Sequence, residues 1–192
     1  MQLVLASGSP YRKQLLERLN VAFVVHRPQV DEDQLKHQYT HLSPVALCQK
    51  LALLKAQSID RSAGEVIIGS DQLVSFAQQS LGKPGDRTGA IAQLERLQGQ
   101  THELVTCTAI CRGDTVIQDC NITQLQMRHL SHDQIVRYVD RDQPFDCAGA
   151  YRYETSGISL FAQVELTDET AIQGLPLIFV TRALSQLGFV IP

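Results

Sequence analysis

Near its start this chain twice places a serine directly before a proline at the head of a helix-spaced apolar run. The first such pair comes straight after a short apolar strand. Serine supplies an N-cap oxygen and proline fixes the first helical φ, so Ser9-Pro10 and Ser43-Pro44 mark two helix starts. Leu15, Leu16 and Leu19 follow the first at helical spacing; Val45, Leu47, Leu51, Leu54 and Ala56 follow the second, through about Ser58. A strand at residues 2–6 precedes the first helix, and Phe23–Val25 reads as a second strand ending near Pro28. Val66-Ile67-Ile68-Gly69 is a short apolar run of the kind found in buried strands. Strands interleaved with helices imply an α/β or α+β chain with a mixed sheet.

The rest of the chain continues the pattern. Leu73–Phe76 is expected to resume after a turn as part of a hairpin. Ile91, Leu94 and Leu97 mark a helix over Thr88–Leu97, stopped by Gly99. Long β-type segments cover Glu103–Cys111 and Thr115–Met127, with Gly113-Asp114 turning between them. Ser131 with Gln134 forms a capping box for a helix through Val139. Ile158–Val164 reads as a strand, and Pro176–Leu187 as a final helix closed by Gly188. The 192 residues fit one domain over 1–192, with two lobes around a single continuous core. No apolar run approaches the roughly 20 residues of a membrane span. The first residues lack the basic and apolar regions of a signal peptide, so a cytoplasmic location is expected.

A formal charge of −3 argues against a nucleic acid polymer as partner, since such binders carry a basic excess. A small anionic ligand needs only a local basic pocket. The five cysteines include no CxxC, and they read as free, mostly buried thiols rather than a zinc site.

Four segments concentrate the polar chemistry. From Ala6 to Lys13 a strand ends, a small-residue turn follows and a helix begins. Free backbone N–H groups and the positive end of the helix dipole face that turn. Ser7 and Ser9 add hydroxyls. Arg12 and Lys13 put cations where the dipole alone disfavours them, which points to an anion nearby. Gly69-Ser70-Asp71-Gln72 reads as the exit of the most apolar strand, a usual address for an active site. Asp71 there holds a divalent metal or takes a proton from water. Gly82-Lys83-Pro84 sets a lysine on a short rigid loop. Glu32 is a candidate to share a metal with Asp71, and Lys55 lies late on the second helix among apolar neighbours. In the small-residue segment 146–154, Tyr151 is a candidate to close a pocket and Glu154 to accept from a purine edge. Taken singly, each also fits a plainer description: a capped helix with solvated cations, an aspartate bonding its own turn, an exposed loop lysine, an ordinary loop. No HExxH, no GxGxxG, no Walker loop and no Ser–His–Asp order occurs.

In order along the chain stand Ser7-Gly8-Ser9-Pro10-Tyr11-Arg12, Val30-Asp31-Glu32, Lys55-Ala56, Gly69-Ser70-Asp71-Gln72, Gly82-Lys83-Pro84, Gly99-Gln100-Thr101-His102, Ala148-Gly149-Ala150-Tyr151 and Gly174-Leu175-Pro176-Leu177. Together these resemble the Maf family of nucleotide pyrophosphatases, over nearly the whole chain. The resemblance implies an inosine-triphosphatase-like (Maf/Ham1) α/β fold: an elongated mixed sheet with flanking helices, in two lobes around a cleft. It also implies a hydrolase that cuts a nucleoside triphosphate to monophosphate and pyrophosphate, a house-cleaning activity against modified nucleotides. Ser7, Arg12, Lys13, Lys55 and Lys83 would bind phosphate. Glu32 and Asp71 would hold a divalent cation, Mg²⁺ first and Mn²⁺ second, with Asp71 also the candidate proton acceptor. Tyr11, Gln72 and Glu154 would choose the base. One branch of the family acts on dTTP and UTP, with Arg after the SxSP proline and Thr after the aspartate. Tyr11 and Gln72 stand at those places here, and Glu154 follows the AGAY segment, so the chain looks like the 7-methyl-GTP branch. A π-face suits the cationic 7-methylguanine base, and a carboxylate can accept from both guanine N1–H and N2–H₂. dTTP/UTP or deaminated-purine triphosphates are the alternative substrates. A nucleotide-binding regulator of cell division is the rival reading from another class. A homodimer is compatible with the resemblance.

Overall fold

A computed structural model describes residues 1–60 and 64–192. In chain order the elements are β1 (Leu3–Ala6), α1 (Pro10–Glu17), β2 (Phe23–His26), α2 (Glu32–Gln38), α3 (Pro44–Gln57), β3 (Val66–Phe76), β4 (Gln79–Leu81), α4 (Arg87–Leu97), β5 (Thr101–Arg112), β6 (Thr115–Met127), α5 (His132–Asp142), β7 (Phe161–Glu165) and α6 (Leu177–Gln186). Among the described residues the strands make one seven-stranded mixed sheet in the order β2-β1-β3-β5-β6-β7, with β4 paired to β3. β1 runs parallel to β2 and to β3, while β3–β4 and β6–β7 are antiparallel. This is the expected α/β class. No helix among the described residues is long and apolar enough to cross a membrane.

The chain forms two compact units. The first comprises Met1–Gln72, Thr106–Asn121 and Asp168–Pro192; the second comprises Leu73–Val105 and Ile122–Thr167. In the first unit, strand alternation sends side chains to two layers. Leu3 and Leu5 of β1 and Val66 and Ile68 of β3 pack with Leu15 and Leu16 of α1 and with Phe179, Val180 and Leu184 of α6. Ile67, Gly69 and Asp71 take the opposite face of β3, the face covered by α3. A Cβ on Gly69 would run into the Ala52 carbonyl and the Ala56 backbone. Gly69 is therefore a close-packing glycine inside a strand, not the end of one.

That corrects one expectation. β3 runs unbroken from Val66 to Phe76, so Asp71 sits within a strand and no turn separates it from Leu73. The hairpin to β4 comes later, at Ala77 and Gln78, both at positive φ. Three further differences have local causes. The sequence pattern marks no helix at α2, although Asp31 caps it by accepting from the Gln34 N–H at 3.0 Å. Ile158 falls in a 3₁₀ turn over Ser156–Leu160, so β7 begins only at Phe161. The cysteines are not all free thiols: Cys107 and Cys120 form a disulfide with a Cα–Cα distance of 4.2 Å. With Gly113-Asp114 as the turn, counting back from Arg112 opposite Thr115 brings Cys107 opposite Cys120. Cys48, Cys111 and Cys147 remain outside the disulfide.

In the second unit, α4 packs on α5 and on the 148–150 turn. Tyr151, a candidate to close a pocket, is instead a core residue at 6% exposure. Its hydroxyl lies 3.1 Å from His102 Nε2, and its ring meets Phe161 edge-on with centroids 5.0 Å apart.

Candidate active site

β1 ends at Ala6, opposite Gly69 of β3. Beyond that point β3 has no β1 residue beside it, and its next three residues are polar. Alternation divides them. Asp71 faces α3, whereas Ser70 and Gln72 face the segment around Ala171–Gly174.

On the α3 side, Lys55 Nζ lies 2.6 Å from Asp71 Oδ1 and 2.8 Å from Glu32 Oε1. Leu51, Ala52, Lys55 and Ala56 share the buried face of α3, which is why a lysine among apolar neighbours points inward. It occupies the last turn of α3, where the helix dipole favours a cation, and Glu32 occupies the first turn of α2, where the dipole favours an anion. Lys55 is 4% exposed and Asp71 3%. Burial works against the Glu32 carboxylate, but Lys55, Lys36 and Arg12 outweigh it and hold the carboxyl below its usual range. Asp71 Oδ2 is buried without a hydrogen-bond partner. An orphaned carboxylate oxygen at this depth is costly, and such an atom suits a proton or a cation.

On the other side, Gly174 O is a shared acceptor. Arg12 Nε donates to it at 2.8 Å and Ser70 Oγ lies at the same distance. Gly174 has φ +98, and a Cβ there would crowd Arg12 Nε at 3.0 Å; only glycine fits this position. Burial lowers the Arg12 pKa while Asp71 and Glu32 push it back up. A guanidinium starts so high that it stays a cation. Gln72 Nε2 donates to Thr106 Oγ1 at 2.8 Å, Ala171 O at 2.9 Å and Ile172 O at 3.1 Å. Its amide nitrogen is thus committed to the frame. Asp168 anchors this segment, accepting from the Thr170 N–H and the Ile178 N–H at 2.9 and 2.8 Å.

The remaining candidates divide. Ser7 is buried and its Oγ accepts from the Ser9 N–H at 3.1 Å, tightening the turn before α1. Tyr11 is 40% exposed on the first turn of α1. Lys13 is solvated and paired with Glu17 at 3.7 Å. Lys83 and Glu154 belong to the second unit and are both exposed. The Lys83 loop is held locally, since Gln93 Nε2 donates to Gly82 O at 2.9 Å, and a Cβ on Gly89 would meet Pro84 O. The framing roles of Ser70, Thr106 and Gly174 went unread; the one available signal was a lone glycine just before a proline-led helix.

The structure thus brings Asp71, Lys55, Glu32 and Arg12 together within the first unit. Among the described residues no group of three or more His, Cys, Asp or Glu is arranged to hold a metal ion. The donor set is nonetheless of the right kind for a magnesium-class ion, which commonly takes one or two carboxylates and fills its shell with water and substrate oxygens. Hard carboxylate oxygens, one of them orphaned, fit that pattern.

The profile of the Maf-like protein family matches residues 2–187. The chain belongs to the Maf family. This Maf chain is 48% identical to the 7-methyl-GTP pyrophosphatase of Bdellovibrio bacteriovorus, over 92% of each chain. It is 40% identical to the 7-methyl-GTP pyrophosphatase of Xanthomonas oryzae pv. oryzae, over 100% of its own length and 99% of the relative's. Among solved structures it is similar to the Staphylococcus aureus Ham1 protein, with a TM-score of 0.51 at 12% identity, covering 97% and 98% of the two chains. At that identity the likeness concerns the fold, and it agrees with the Ham1-like architecture that the motifs implied.

Proposed function

We propose that this Maf protein is a nucleoside triphosphate pyrophosphatase that hydrolyses 7-methyl-GTP to 7-methyl-GMP and diphosphate. The observation that carries the chemistry is Asp71, buried, with one oxygen on Lys55 and the other without a partner. The names of its full-length relatives support the choice of substrate, as do Tyr11, Gln72 and Glu154.

In this reading Asp71 accepts a proton from water as the water oxygen bonds to the α-phosphorus. The bond from that phosphorus to the bridging oxygen of the β-phosphate breaks, and pyrophosphate leaves with the electron pair. Lys55 holds the Asp71 carboxylate in place, so one oxygen is fixed while the other faces the reaction. Arg12 supplies a positioned cation for phosphate oxygens, joined by Ser7 and Lys13 at the start of α1; Lys83 is a further candidate phosphate cation. Glu32 and Asp71 would hold the divalent cation, Mg²⁺ in first place, whose contribution is to neutralise phosphate charge. Positioning and charge neutralisation carry most of such a transfer. For the base, Gln72 shares its two N–H groups among Thr106, Ala171 and Ile172, which leaves its carbonyl oxygen as an acceptor. The Glu154 carboxylate suits a guanine edge, which offers it both N1–H and N2–H₂. A uracil edge offers one donor and leaves a carboxylate partly unpaired, at about 1–3 kcal/mol. A cytoplasmic location follows from this chemistry, since triphosphate pools lie there.

Phosphate release measured with coupled inorganic pyrophosphatase across 7-methyl-GTP, GTP, UTP, dTTP and ITP tests the substrate. Turnover of UTP faster than 7-methyl-GTP would reject it. Asp71→Asn should cut kcat by more than about tenfold with KM little changed; survival within tenfold removes Asp71 from the chemistry.

A further inference from the structure

Glu154 lies on a turn whose shape is set from the end of α5. The Arg152 N–H donates to Tyr138 Oη at 3.0 Å. The Arg152 carbonyl collects three donors: the Thr155 and Gly157 N–H groups at 3.3 and 3.0 Å, and Thr155 Oγ1 at 3.2 Å. Gly157 has no substitute, because a Cβ there would strike that same carbonyl. The chain therefore folds back around one oxygen atom, with the exposed Glu154 between its donors and acceptor.

Asp142, the last residue of α5, fastens this turn. Its Oδ2 accepts from Ser156 Oγ and lies 3.4 Å from Thr155 Oγ1, whose one proton it shares with the Arg152 carbonyl, and its Oδ1 accepts from Arg141 Nε at 2.8 Å. The side chain is only 9% exposed. Burial pushes its carboxyl up, but Ser156, Arg141 and Thr155 together hold it below the usual carboxylate range. On the near side of Glu154, the Arg152 guanidinium donates to the Asp142 carbonyl at 3.2 Å and to Asp146 Oδ1 at 2.8 Å. Asp142 thus grips the chain on both flanks of Glu154, through its carboxylate after it and its carbonyl before it. Hydrogen bonds to an ionised carboxylate are stronger than neutral ones. Such a clamp holds the group that the turn carries in one place.

We propose that Asp142 is a positioning residue for Glu154: by holding the 152–157 turn in one shape it sets the enzyme's selectivity between nucleobases without touching the nucleotide. This rests on Glu154 reading the base. A contact that must match a base edge loses its discrimination when its carrier wanders.

The test compares wild type, Asp142→Ala, Asp142→Glu and Glu154→Ala in the full chain, by kcat/KM for 7-methyl-GTP and UTP and by amide hydrogen exchange over residues 152–157. In Asp142→Ala, exchange across the turn should quicken and the 7-methyl-GTP to UTP ratio fall about tenfold toward that of Glu154→Ala, with UTP turnover kept within about twofold. Asp142→Glu should recover part of the ratio. A wild type that does not favour 7-methyl-GTP overturns the base-reading assignment and this proposal with it. A selective wild type whose Asp142→Ala form keeps its ratio, whether or not exchange quickens, overturns the role of Asp142 alone. Should that variant fold poorly, Ser156→Ala removes one donor to the carboxylate and must lower the ratio in the same direction; an unchanged ratio overturns the proposal.

Discussion

The two units bury titratable groups in opposite ways. The first sets charge against charge: Lys55 lies 2.6 Å from Asp71 and 2.8 Å from Glu32, with Arg12 adding a second cation. The second sets an imidazole among rings. His102 is 2% exposed, bonds Tyr151 through Nε2, packs against Phe161, and has no partner for Nδ1. An ionic centre fails when one member is removed, because the others are left uncompensated in a poor dielectric. A neutral imidazole in an aromatic core holds until it is asked to take a proton. The first arrangement should therefore be sensitive to substitution, and the second to pH.

Removing Lys55 is the largest expected effect. It strands a buried carboxylate and a half-buried one, and breaking such a pair costs about 3–5 kcal/mol. Lys55→Met, which nearly keeps the length, should lower the urea unfolding free energy by that amount and abolish activity. Adding Asp71→Asn should restore much of the stability and none of the activity. If the double variant is no more stable than the single one, the two charges are not coupled and the contrast between the units breaks.

His102 gives the next effect. Burial pushes its pKa down to about 4, against about 6.5 in an unfolded chain, so between those values the unfolded state binds the extra proton. The stability held at neutral pH is then lost as pH falls through that window, by about 3 kcal/mol. Urea melts of wild type and His102→Gln at pH 7 and 4.5 isolate this part, which the variant should lack. Glu32 behaves otherwise. Its carboxyl is held below the usual range, so its contribution is present above the ordinary glutamate value and disappears only as pH drops through its lower folded value. A wild type with a flat profile from pH 7 to 4.5 would mean that His102 takes a proton without penalty.

Gly69→Ala comes third, at about 1–3 kcal/mol of overpacking, read as a lower Tm. It also marks a limit of legibility. The residues around Asp71 are tied together in the sequence by the resemblance to the Maf family, since each taken singly also fits a plainer description. The role of Gly69 is not legible, because it depends on how closely α3 approaches β3, and a glycine before polar residues looks locally like a strand's end. Nor is the hold on Gln72 legible: its nitrogen bonds carbonyls at Ala171 and Ile172, a pairing across a hundred residues that no local pattern encodes. α2 was missed for the opposite reason: its Asp31 cap with Gln34 was local and readable, but too short a stretch of apolar residues follows to signal a helix. The Cys107–Cys120 pair needed the strand register as well as the turn.

The smallest effect separates two neighbours that the sequence treats alike. Arg12 and Lys13 both stand on the first turn of α1 as candidate phosphate cations. Arg12 is fixed by Gly174 O and feels the Asp71 and Glu32 charges; Lys13 is more than half exposed and leans on Glu17. An exposed pair four residues apart contributes less than about 0.5 kcal/mol, and a flexible ammonium gives little orientation. Lys13→Ala should therefore leave Tm unmoved and raise KM for the nucleotide by less than about threefold, and that small rise should vanish in added salt, as screening of an exposed charge requires. Arg12→Ala should cost far more and keep more of its loss in salt, because a half-buried guanidinium fixed by Gly174 O is screened less than an exposed ammonium. Equal losses in the two variants would mean that Lys13 leaves Glu17 to join the phosphates, and that the cationic grip extends along the helix surface instead of ending at the buried centre.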